Sequence, residues 1–154
     1  MELLLKLLVL GAALLGGQGP ASPPQGPQGK WAGLWKTAQG ARHSDRLVLP
    51  HGDKPRKLIV RTLEVGGGEE LKSGDSFVAS YRAFAYRTGR VWEEYWGEGF
   101  STRFGAGENV KGWEIGLDGM RVGGWVELIV PSPMVHNAGA LVYVVKLDEI
   151  ESSS

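Results

Sequence analysis

Only one stretch in the body of this chain carries the apolar spacing of a helix, and that feature limits the fold more than any other. Across Glu108–Leu117 (ENVKGWEIGL), Val110, Trp113 and Leu117 stand at i, i+3 and i+7, the stripe of an amphipathic helix. Asn109 is a suitable N-cap residue. Gly112 and Gly116, four apart, share a face that would let the helix backbone press close to a sheet. Glycine is a poor helix former, so packing rather than propensity is expected to hold this helix. The segments around it run at period two. Lys57–Leu63 reads as a strand that stops at Gly66-Gly67-Gly68. In Ser76–Arg87, Phe77, Ala79 and Tyr81 alternate with Val78, Ser80 and Arg82. Thr88-Gly89 then turns into Arg90–Trp92. Trp125–Pro131 and Ala140–Ile150 are two more strands, the last with Leu141, Tyr143, Val145 and Leu147 on one face. The expected class is α+β, strands around one short helix, and 24 glycines are consistent with its many turns.

Composition removes several function classes. The chain has no cysteine, which excludes a disulfide framework, a thiolate zinc site, an iron–sulfur cluster and a cysteine nucleophile. Its 17 basic and 17 acidic side chains balance, unlike the net positive charge of a general nucleic-acid binder. That balance conceals an asymmetry. Residues 30–61 hold eight basic and two acidic side chains, whereas residues 62–154 hold eight basic and 14 acidic. The organisation expected from these shifts is a signal or targeting segment at 1–21, a Pro/Gly-rich and basic linker arm at 22–56, a folded domain at 57–150 and a flexible tail at 151–154. Leu3–Leu15, apolar but for Lys6, is too short to span a bilayer and resembles the core of a secretory signal, with cleavage allowed after Ala21. A secretory or other lumenal location is therefore expected: the ER lumen, the exterior or a thylakoid lumen. The basic arm has three readings: a solvated linker, a segment folded back on its acidic domain, or a docking element for an anionic surface such as lipid headgroups. Trp31 and Trp35, four apart, suit either a short interfacial helix or core packing.

The run Phe104-Gly105, Glu108–Leu117 and Met120-Arg121-Val122-Gly123 resembles the FKBP-type peptidyl-prolyl cis-trans isomerase family. Gly74-Asp75 with Tyr81, Gly89-Arg90-Val91-Trp92-Glu93 and Leu141-Val142-Tyr143 stand in the matching order, so the likeness covers Lys57 to Ile150. It implies a twisted antiparallel sheet wrapped around the short helix, with a prolyl pocket between them. In that pocket Trp113 would be the floor, Tyr81, Phe100, Val110 and Tyr143 the walls, Trp92 would take the family's Phe position and Glu93 its Asp. Backbone groups near Glu108, Asn109 and Val110 would hold an extended peptide. The expected partners are proline-containing polypeptide clients. Membrane contact is expected only through the amino-terminal segment, and the molecule is expected to be a monomer.

The chemistry such a pocket performs breaks no covalent bond, so neither nucleophile, metal nor cofactor is called for. The barrier of roughly 18–20 kcal/mol reflects lost amide resonance. The twisted imide is less polar than the planar one, so a dry aromatic cavity favours the transition state. Two departures from the family bear on rate. Only Pro131–Gly139 joins the last two strands, without the tyrosine that roofs the family pocket, and Glu94–Gly99 is short, acidic and without the family's arginine. A shallower, more negative pocket is expected, with weaker isomerase activity and poor binding of the macrolides that family members bind. Three functions stay open: an isomerase assisting protein folding, a catalytically degenerate peptide-binding or scaffold module, and sugar stacking on Trp92, Tyr95 and Trp96. Other constellations are thin. His43, His51 and His136 lack metal-ligand spacing, and Gly105-Ala106-Gly107 lacks the Lys-Ser/Thr of a phosphate loop.

Overall fold

A computed structural model describes residues 29–38 and 47–151. The signal-like segment 1–21 and residues 152–154 lie outside them. Six strands form one antiparallel sheet: β1 (Ile59–Glu64), β2 (Ser76–Ala85), β3 (Val91–Glu94), β4 (Phe100–Arg103), β5 (Trp125–Val130) and β6 (Leu141–Glu151). Their order is β1-β5-β6-β2-β3, and β4 pairs with β2 as well. The period-two segments of the sequence form strands because alternation gives each face of the sheet its own set of side chains while the backbone bonds sideways. Glu151, placed in the tail by sequence, still belongs to β6. β4 has no such sequence signal; its ladder with Ser76–Ala79 defines it.

The inner face of the sheet carries Phe77, Ala79 and Tyr81 from β2, Leu128 and Val130 from β5, and Tyr143, Val145 and Leu147 from β6, all buried. The helix α2 (Lys111–Gly116) lies on this face with Trp113 directed into the core and Leu117 packed beyond its end. Its glycines do what their spacing suggests. A β-carbon on Gly112 would stand 2.5 Å from Val130 Cγ1, and one on Gly116 would stand 2.6 Å from Leu128 Cδ2. The cap differs from expectation. Val110, not Asn109, is the N-cap, and it makes no side-chain capping bond. The Asn109 amide is spent elsewhere, accepting from Thr102 Oγ1 at 3.0 Å and donating to the Arg103 carbonyl at 2.9 Å. It ties β4 to the start of the helix.

The outer face is covered too, by residues that the sequence reading assigns to a linker arm. Helix α1 (Ala32–Ala38) sets Leu34 and Ala38, with Trp31 just before it, against Phe84, Ile129, Val142 and Val144. Trp31, Leu34 and Ala38 stand at i, i+3 and i+7, a stripe that the basic composition around it obscured. Polar contacts fix the arm. Thr37 Oγ1 accepts from Arg82 Nη1 at 2.8 Å, and the Tyr86 hydroxyl lies within reach of the carbonyls of His51 (3.1 Å) and Asp53 (3.0 Å). Val48 N donates to Glu127 Oε1 at 2.9 Å. Glu127 is wholly buried, and burial pushes its carboxyl up to about 7, opposed by the Val48 bond and the charge of Arg61.

Candidate active site

β3 and β4 divide one edge of β2 between them: β3 pairs with Arg82–Phe84 and β4 with Ser76–Ala79. The chain between them, Tyr95–Gly99, leaves the ladder beside Tyr81, pinned by Tyr95 N donating to the Tyr81 carbonyl at 2.9 Å. Gly97 (φ 86°) and Gly99 (φ 75°) supply the left-handed backbone that reverses it. The loop straddles the sheet edge. Tyr95 folds over the inner face, while Trp96 meets Trp125 on the outer face at a ring distance of 5.0 Å.

On the inner face the aromatic side chains meet edge to face around Tyr81. Its ring is 4.8 Å from that of Trp113 at 81° and 5.6 Å from that of Phe100 at 85°. Trp113 in turn stands 5.7 Å from Tyr143 at 78° and 6.1 Å from Phe100 at 87°. Such T-shaped pairs place a positive ring edge on a negative face and hold the set rigid. Tyr95 completes it, stacked on Tyr81 at 5.2 Å and tilted on Phe100 at 5.2 Å. Tyr95 is a wall that sequence reasoning did not place here; a Tyr-Trp pair inside a glycine turn has no period to betray which face each ring takes. Trp113, Tyr81 and Tyr143 are each under 5% exposed, and the half-buried Phe100 and the exposed Tyr95 pack against them, Tyr95 on Tyr81 and Phe100 on Tyr81 and Trp113.

One polar contact orients the centre. The Tyr81 hydroxyl donates to Glu93 Oε2 at 3.0 Å. Burial, then the bond to Glu93 and its charge, raise the Tyr81 phenol well above its usual range; burial and the Glu93 charge do the same for Tyr143. Both phenols stay protonated, so Tyr81 remains a donor at any physiological pH. The longer Glu93 side chain reaches the hydroxyl while itself remaining exposed.

The other sequence-named residues divide into two groups. Val110 borders the core cluster, with its φ at −57° and ψ at 145°. Neither its N–H nor the Glu108 carbonyl takes part in a backbone hydrogen bond among the described residues, which leaves both for an extended peptide. The Glu108 carboxylate accepts from Arg103 N at 3.4 Å and is exposed. Trp92 stands apart. It is 54% exposed, because the ladder between β2 and β3 shifts register between Ala83 and Phe84 and takes Trp92 out of the alternation that brings Glu93 to Tyr81. The loop Pro131–Gly139 forms a 3₁₀ turn (Ser132–Val135) that buries Val135, with His136 exposed at its end in the left-handed region.

Comparison with known proteins accords with this geometry. The family model for FKBP-type peptidyl-prolyl cis-trans isomerases matches residues 67–147. The chain is 33% identical over 90 residues to an FK506-binding protein of Streptomyces anulatus, covering 57% of this chain and 73% of that one. It is 30% identical over 86 residues to a probable FK506-binding protein of Corynebacterium glutamicum, covering 56% and 73%. Among solved structures, that of AtFKBP13 superposes with a TM-score of 0.57 at 21% identity, over 64% of this chain and 96% of that one, a likeness of fold. The chain belongs to the FKBP-type peptidyl-prolyl cis-trans isomerase family.

Proposed function

We propose that this protein isomerises X–Pro bonds in polypeptide clients, assisting their folding, and that it does so slowly. The observation that carries the reading is the edge-to-face set of Tyr81, Phe100, Trp113 and Tyr143, with the Tyr81 hydroxyl held by Glu93 at 3.0 Å. A pyrrolidine ring on the Trp113 indole would sit among aromatic faces, with the client backbone reaching the Val110 N–H and the Glu108 carbonyl. The dry surroundings penalise the polar planar imide more than the twisted one, and each 1.36 kcal/mol of that difference is about tenfold in rate. No proton transfer and no covalent intermediate are needed. Slow turnover follows from Tyr95: a client gains the cup only when the Tyr95 ring leaves Tyr81 and Phe100.

A protease-coupled assay on an X–Pro peptide tests this with Trp113→Leu, which removes the floor, and Tyr81→Phe, which removes only the hydroxyl. The expected order is parent, Tyr81→Phe, Trp113→Leu, the last slower by at least about tenfold. A parent protein no faster than the uncatalysed reaction would overturn it. The burial of Trp113 favours a second reading, a peptide-binding module without turnover, and tight binding with no acceleration in the same assay supports that one. The lumenal location rests on the sequence of residues 1–21. Mass spectrometry of the mature amino terminus, with a chain starting at Ser22, supports it; an intact Met1 contradicts cleavage.

A further inference from the structure

A groove of about 770 Å³ opens beside the aromatic cup, between the turn after β2, the loop Ala138–Ala140 and the arm. Two strands run from it to the aromatic set. Trp92, in the groove, adjoins Glu93, which reaches Tyr81; Leu141, also in the groove, precedes the cup residue Tyr143 by two on β6. Its floor is apolar, with Val91 and Trp92 each at least half exposed and Leu141 beneath. Its rim is basic. Lys30, Lys54, Arg87 and Arg90 line it against a single acid, Asp53, and none of the four cations is ion-paired among the described residues.

The arm builds this wall rigidly. Lys30 Nζ donates to the Arg87 carbonyl at 3.2 Å, and Gly89, at φ 70°, comes so close to Lys30 that a β-carbon would lie 2.1 Å from its carbonyl oxygen. Tyr86 clasps the carbonyls of His51 and Asp53 from below. On the other side of Trp92 the sign of the charge reverses, with Glu93, Glu94 and Glu98 along β3 and the loop that follows.

We infer that this groove is a specificity subsite for clients whose X–Pro bond is flanked by acidic residues. It deepens the isomerase reading and rests on it, since the groove acts on a peptide already seated in the cup. The apolar floor takes the side chains of an extended segment, and the four cations select carboxylates by an attraction that salt screens within about 10 Å.

The test uses three labelled proline peptides of one length whose flanking residues are glutamates, serines or lysines. Binding is read by fluorescence anisotropy and turnover by the protease-coupled assay, with the parent and the double variant Arg87→Ser/Arg90→Ser. These two side chains make no hydrogen bond among the described residues, and both are exposed, so the variant is expected to fold. The parent should bind the glutamate peptide about tenfold tighter than the serine peptide at low salt, an advantage that shrinks severalfold in the variant and at about 0.5 M salt. Equal binding of all three peptides, or an advantage untouched by the double substitution, would overturn the subsite. Affinity for vesicles rich in phosphatidylserine without preference for the glutamate peptide would overturn it equally. Loss of turnover on the serine peptide strikes the isomerase reading instead, because the binding preference is measured independently of it.

Discussion

The two faces of the sheet are both packed with aromatic and aliphatic side chains, yet they are built to different ends. On the outer face α1 lies over Phe84 and the aliphatic Ile129, Val142 and Val144, and polar contacts (Thr37 to Arg82, Val48 to Glu127) tie the arm down. On the inner face α2 is short, two glycines bring it onto Val130 and Leu128, and the space gained goes to rings that meet at right angles. The inner frame is rigid and aromatic, with one hydroxyl held by a carboxylate. The arm packs the outer face and shapes the neighbouring groove, while the aromatic set of the proposed site lies on the inner face.

Substitutions can break that division. The largest effect is expected from Leu34→Ala on the outer face, which should cost about 2–5 kcal/mol in denaturant unfolding. Its kcat/KM on a neutral X–Pro peptide should stay near the parent value at temperatures where it is folded; a parallel loss of activity would show that the faces are coupled. Next comes Glu127. Its carboxyl has a folded pKa of about 7 against an ordinary value of 4.5, so its contribution is fully present below 4.5 and is lost as pH rises through 7. Glu127→Gln should therefore leave stability at pH 4.5 almost unchanged and raise it at pH 8 by about 3 kcal/mol, read as a flatter pH dependence of Tm. An unchanged pH profile would mean that Glu127 ionises as readily in the folded state as in the unfolded. Smaller still is Tyr95→Ala. The ring contacts it makes with Tyr81 and Phe100 are worth about 0.5–1.5 kcal/mol, and sparing a client the cost of breaking them should raise kcat/KM by about two- to tenfold. A fall in kcat/KM would instead make Tyr95 part of the prolyl-binding surface. The smallest is Tyr81→Phe, which loses one bond to the exposed Glu93 and should cost about 1 kcal/mol in stability.

What the sequence discloses follows from periodicity. β2 and β6 are legible because their inner residues alternate over many positions, and α2 because Val110, Trp113 and Leu117 keep a helical spacing. Trp113, Tyr81 and Tyr143 are named by three separate pieces of the family pattern, those around Trp113, Gly74-Asp75 and Leu141. Where local signals compete or vanish, the reading fails. β4 offers four residues with two of them exposed, so only its partner strand reveals it. The arm hides a buried stripe among lysines, prolines and glycines. Asn109 has the chemistry of a cap, but the end of β4 competes for its amide and wins. Trp92, which the family resemblance implies for the pocket, is turned outward by a register shift, and Tyr95, given no place in the pocket by that resemblance, is brought in by a glycine turn.

The most direct test is exchange NMR of a short X–Pro peptide with a small amount of the full chain. Uncatalysed interconversion takes tens of seconds or longer. Cross-peaks between the cis and trans forms at mixing times below about one second, abolished by Trp113→Leu, are the predicted result. No exchange with the parent protein, while the Trp113 indole resonance shifts as peptide is added, would show a cup that binds proline and does not turn it.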